Sequence, residues 1–174
     1  MLRKSLWFDY LGLILLSSIW GSSFLFIKIS IDTLHPALLT FSRLIVASIF
    51  LILYIKVIKR EKISFFILER NIFLIAIFGN VIPFNLISWS ETNLDSVIVA
   101  ILIGTMPFFT FLISHLQKKG EKINKKIVIG LLLGFLGMIY LIHNSELSAK
   151  IENLSYISCG LVIIAAIGYA LSAN

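Results

Sequence analysis

Arg43 is the costliest residue in this chain, a guanidinium seven positions after Pro36 inside a long apolar run. A helix that begins at Pro36 carries it about 10 Å along its axis, where a charge costs at least a few kcal/mol unless it is paired or hydrated. Its planar fork of donors suits a carboxylate. Arg43 therefore reads either as a cavity-lining cation for an anionic solute or as a fixed charge satisfied by helix-end carbonyls or by Glu91. Lys28 stands one turn before Asp32, and the two share a helical face. Its long stem either snorkels to the outer headgroups or places an ammonium at the outer mouth of a cavity, as a solute or gating contact.

Trp20, Gly21, Ser22 and Ser23 interrupt an otherwise aliphatic run. Small residues let a neighbouring backbone approach, and an indole at mid-depth needs a partner for its N–H. Both favour a face turned to protein or a cavity, with Trp20 and Ser23 as solute candidates. Asn80, Pro83, Asn85, Ser88 and Trp89 form a second polar series. Asn85 and Trp89, four apart, share a face, and Pro83 frees a carbonyl by lacking an N–H. They serve either a hydrated cavity or helix assembly, with Trp89 as an interfacial anchor.

Pro107, after Gly104 and Thr105, predicts a helix kink, as Pro83 does. Gly130, Gly134 and Gly137 are spaced to give a contact stripe on one helix face. Glu91 and Asp95 bracket a short connection, where solvated loop acids are the expectation and a proton-coupling carboxylate the alternative. His35, His115 and His143 fall near the ends of apolar runs without a paired ligand motif, so no metal site is expected. No phosphate loop, dinucleotide fingerprint or metalloprotease motif is present, no cofactor is implied, and no nucleophile converges with a base; an enzyme is the weakest reading. The single cysteine, Cys159, allows no internal disulfide and reads as packing.

The elements that must hold these residues are membrane spans. In 174 residues, 59% are hydrophobic and 14% charged, with mean hydropathy +1.00, more apolar surface than one soluble domain buries. The net charge of +6 falls in short clusters between apolar runs, whereas nucleic-acid binding needs a contiguous basic face. Six runs are long enough to cross a bilayer: Tyr10 to Ile31, Pro36 to Ile58, Asn71 to Ser90, Ser96 to Leu116, Ile127 to His143 and Leu154 to Ala173. The stretch after Arg3 and Lys4 is too long for a signal peptide and reads as a retained span. With the N-terminus inside, twelve of the fifteen Lys and Arg residues lie on cytoplasmic segments (Arg3 and Lys4, Lys56 to Arg70, Lys118 to Lys126), and Lys150 alone lies outside. That asymmetry places the N-terminus in the cytoplasm of a multi-pass protein of the cytoplasmic, or inner, membrane.

Residues Gly160 to Ile167 parallel Gly12 to Ile19 at a constant offset of 148, with three identities and five conservative changes. The repeat then has a period of five spans. An odd number inverts the second copy in the membrane, which is how many transporters are built.

The ordered set Trp20-Gly21-Ser22-Ser23-Phe24, Pro36 to Arg43, Ile82-Pro83-Phe84 with Trp89 and Glu91, Ala100 to Phe109, and Gly120 to Gly137 resembles the EamA-type family of the drug/metabolite transporter superfamily. The resemblance implies an all-α integral membrane protein forming the first half of an inverted-repeat, ten-helix fold. Residues 1–145 would be the first five-helix repeat and residues 146–174 the outer loop and first helix of a second. It also implies carriage of small metabolites, with membrane lipid and either the missing second half or a second transporter chain as partners. The alternative is a non-transporting membrane scaffold or partner subunit.

Overall fold

The computed structural model describes residues 6–60, 70–116, 125–144 and 155–173. Every regular element among them is helical. α1 (Leu6–Ile31) turns into α2 (Pro36–Leu53), where Pro36 occupies the first turn and His35 Nδ1 accepts from the Ala37 N–H at 3.3 Å. Pro belongs there because its missing N–H would have had no partner. α2 continues as a π-helical stretch, Tyr54–Lys59, and stops at Arg60, whose backbone is left-handed at φ 55° and whose N–H donates to the Ile55 carbonyl.

α3 (Arg70–Ala76) passes through a second π-helical stretch, Ile77–Val81, into α4 (Ile82–Ser90). Pro83 stands at the start of α4; it cannot donate to the preceding turn, and the widened winding ahead of it absorbs the mismatch. α5 (Ser96–Ile103) and α6 (Met106–Leu116) form one rod interrupted at Gly104 and Thr105. Thr105 Oγ1 donates to the Leu102 carbonyl at 2.6 Å, two residues before Pro107. α7 (Lys125–Asn144) and α8 (Tyr156–Ala173) are the remaining described elements.

Among the described residues five stretches are long and apolar enough to cross a membrane: Trp7–Ile31, Pro36–Lys59, Arg70–Ser90, Ser96–Leu116 and Tyr156–Ala173. α7, 20 residues long, carries the remaining apolar run. Large apolar side chains such as Leu13, Phe26, Phe50 and Leu136 face outward, as expected where lipid replaces water and helices keep every backbone hydrogen bond internal. The protein is a polytopic helical membrane protein. The basic segments 61–69 and 117–124, with Gly120 to Lys122, Arg3, Lys4 and Lys150, lie outside the described residues.

The core is small and sits where α1, α2, α4, α5 and α8 meet, around Ile27, Leu39, Ile87, Leu94, Val99, Val162 and Ala165. α8 packs on α4, α5, α6 and the π-helical stretch before α4. Its inner face is made of small residues, with Ala165, Ala166, Gly168 and Ala170 all buried. The closest approach uses reciprocal glycines. A Cβ on Gly168 would lie 2.8 Å from the Phe78 carbonyl oxygen, and one on Gly79 would lie 2.7 Å from Ser172 Oγ. The Gly130, Gly134 and Gly137 stripe is different: a Cβ at any of the three would meet nothing within 4 Å among the described residues. Small-residue spacing marks a face able to receive a helix, but the helix that closes on this chain's core arrives elsewhere.

Candidate functional site

Four helices converge on the Arg43 guanidinium. From α2, its Nη2 donates to Ser23 Oγ of α1 at 3.3 Å. Its Cζ lies 4.6 Å from the ring centroid of Phe84 in α4. Phe84 in turn meets Tyr169 of α8 edge-on, with centroids 6.4 Å apart and planes at 67°. A cation over an aromatic face gains about 0.5–2 kcal/mol, which offsets part of the cost of removing the charge from water. The Nη1 amino group is buried and has no acceptor among the described residues.

Glu91 extends α4 by one residue, its N–H donating to the Ile87 carbonyl at 3.0 Å. That keeps its side chain on the face of Ile87 and Ser88, the inward one, and all three residues are buried. This corrects the expectation of a solvated loop acid. Among the described residues neither carboxylate oxygen meets a donor at full hydrogen-bond geometry, and the Ser96 side chain supplies only a weaker pull. Burial pushes the carboxyl up to about 7, against the pull of the positive charges of Lys28 and Arg43. Thr40 of α2 and Ser88 of α4 add two further buried hydroxyls without partners among the described residues.

Lys28 neither pairs with Asp32 nor reaches outward. Its Nζ donates to the main-chain carbonyls of Glu91 and, at 3.0 Å, of Leu94, so α1 is tied to the α4–α5 turn. Asp95 caps α5, its Oδ1 accepting from the Val97 N–H at 3.0 Å.

The other sequence-derived candidates are not brought to Arg43. Asn85 Nδ2 donates back to the Val81 carbonyl at 2.9 Å within its own helix. Trp89 is 47% and Trp20 64% exposed, so both rings face outward. A cleft of about 500 Å³ between α6 and α7, lined by Met106, Pro107, Thr110, His115, Ile127 and Leu131 among others, shares no residue with the Arg43 cluster. Among the described residues no group of His, Cys, Asp or Glu side chains is placed to hold a metal ion. Phe84, Tyr169 and the buried state of Glu91 are what the residue-by-residue reading missed. The Ile87, Ser88, Glu91 spacing was the available signal for the last.

The sequence profile of the EamA-like transporter family matches residues 7–143. The chain belongs to that family. It is 26% identical over 168 residues to the uncharacterized transporter YoaV of Bacillus subtilis, covering 93% of this chain and 54% of that protein. It is 28% identical to the uncharacterized inner membrane transporter YedA of Escherichia coli K12 over 76% of this chain and 42% of that protein. With the PagO protein of Salmonella typhimurium it shares 33% over 59% of this chain and 34% of that protein. The chain thus spans about half the length, or less, of the curated relatives it matches. No solved structure matches it. YoaV and YedA are named as transporters, and in this chain four helices meet around the Arg43 guanidinium.

Proposed function

We propose that this EamA-like chain is part of a secondary transporter, an exporter of small carboxylate-bearing metabolites such as amino acids, working by alternating access across the cytoplasmic membrane with its N-terminus inside. The observation that carries this reading is the buried Arg43 Nη1 without an acceptor, next to an Nη2 already held by Ser23. A guanidinium oriented by a hydroxyl and an aromatic face, with donor capacity left over, is prepared for a planar anion. The outward apolar faces of α1, α2 and α7 offer surface that a second half, or a second transporter chain, would cover to complete a pathway. Rocking of the two halves about Arg43 would expose it to either side in turn.

The test is flux in sealed vesicles. The reconstituted protein should give saturable uptake of a carboxylate-bearing solute, and Arg43→Ala should lower its rate at limiting solute by at least about tenfold, the cost of roughly one charge-assisted hydrogen bond. Arg43→Lys keeps the charge but loses the fork, and should recover only part of the rate. Unchanged flux in Arg43→Ala removes Arg43 from the pathway.

A further inference from the structure

Glu91 is wholly buried, and among the described residues neither of its carboxylate oxygens has a donor at full hydrogen-bond geometry. A buried carboxylate in that condition is unusual, because desolvation is normally repaid by donors. Lys28 Nζ, whose charge acts on the carboxylate, donates to the main-chain carbonyls of Glu91 and Leu94. Five side-chain atoms without partners, Thr40 Oγ1, Arg43 Nη1, Ser88 Oγ and the two Glu91 oxygens, lie on α2 and α4, which pack on each other. Each helix carries its polar groups three residues apart and so on one face.

The groups acting on Glu91 come from each element around it. Lys28 of α1 and Arg43 of α2 draw a carboxylate towards the charged form, as the Ser96 side chain does, and Asp95 at the start of α5 opposes it. From α8, Tyr169 interacts with the same guanidinium. The charge state of Glu91 therefore depends on whether the Arg43 charge is free or neutralised.

We propose that Glu91 is a proton-binding site coupled to Arg43: when an anionic solute neutralises the guanidinium the carboxylate takes up a proton, and when the solute leaves it returns the proton. The solute half of this coupling rests on the reading of Arg43 as the solute contact. One O–H bond forms on a Glu91 oxygen with a proton from the aqueous side, and nothing else is made or broken. By linkage the effect is reciprocal, so a proton on Glu91 strengthens anion binding at Arg43 by the same factor. A monoanion and a proton then occupy the site together with no change in net charge, the least costly way to carry a carboxylate through a low-dielectric layer.

Infrared titration of the purified protein in lipid nanodiscs, with no solute present, tests the proton site apart from transport. The protonated-carboxyl band that Glu91→Gln removes should titrate with a midpoint near 7. Glu91→Asp should keep a titrating band at a shifted frequency, which covers the case of a poorly folded glutamine variant. Arg43→Gln, which mimics a neutralised guanidinium, should move the Glu91 midpoint upward. Absence of any Glu91-dependent band change between about pH 5 and pH 9, or a midpoint indifferent to Arg43→Gln, overturns the proposal. Vesicle flux separates the two claims. Flux that depends on Arg43 without a Glu91 titration overturns the proton site alone, whereas the expected titration without flux overturns the transport reading and with it the solute half of the coupling.

Discussion

Gly168→Val is expected to destabilise the protein by about 1–3 kcal/mol or more, the range for inserting carbon atoms into a packed interior. The reason is local and geometric. Even a single Cβ at position 168 would lie 2.8 Å from the Phe78 carbonyl oxygen and 3.2 Å from Pro83 Cγ. The first is backbone of the π-helical stretch and the second a ring fixed at the start of α4, so neither yields as a side-chain tip would. Gly160 on the same helix supplies the control, since a Cβ there would meet nothing within 4 Å. Gly160→Ala should be neutral or stabilising by up to about 1 kcal/mol through helix propensity. Thermal unfolding in detergent distinguishes them. Equal melting temperatures for Gly168→Val and the parent would mean that α8 does not cross the π-helical stretch as described.

Glu91→Gln is expected to stabilise the folded protein in alkaline solution and to flatten its pH dependence. The folded-state carboxyl lies at about 7, above its ordinary value of 4.5, so the folded chain holds a proton that the unfolded chain has already released. Stability is therefore greatest below about pH 4.5, falls as pH rises towards about 7, and is level beyond it. A difference of about 2.5 pH units corresponds to at most about 3 kcal/mol. Glutamine cannot ionise and removes that slope. Parent and Glu91→Gln should melt within a few degrees of each other near pH 5, and the variant should melt higher near pH 8. A variant less stable than the parent at pH 8 would show that the charged carboxylate has favourable partners in the folded state.

The membrane spans were legible because the signals that set them are local. Hydropathy contrast and Pro36 at a helix start fix where helices begin, and the structure differs chiefly in starting α1 at Leu6, ahead of Tyr10. Arg43 was legible because a charge in an apolar run needs an explanation wherever the run goes. Its partners were less so. Ser23 drew attention for its small neighbours, but Phe84 and Tyr169 look like any other aromatics in apolar helices until α4 and α8 are packed together. The glycines show the same limit. Regular spacing pointed to Gly130, Gly134 and Gly137, whereas the tight crossing falls at Gly79 and Gly168, and no one-helix pattern encodes which neighbour arrives. Glu91 was misplaced because its sequence position, at a span end, suggested water, while one more helical residue turned it inward.

Everything proposed for the Arg43 and Glu91 cluster depends on which end of the bundle meets which side of the membrane. Side-specific labelling of single cysteines in a Cys159→Ser background measures this most directly. Arg60→Cys and Lys122→Cys, in the two basic connectors, should both react only from the cytoplasmic side, and Asn93→Cys, in the exposed turn beside Glu91, only from outside. Reaction of Arg60→Cys and Lys122→Cys from opposite sides would contradict the arrangement of spans, and with it the account of the site.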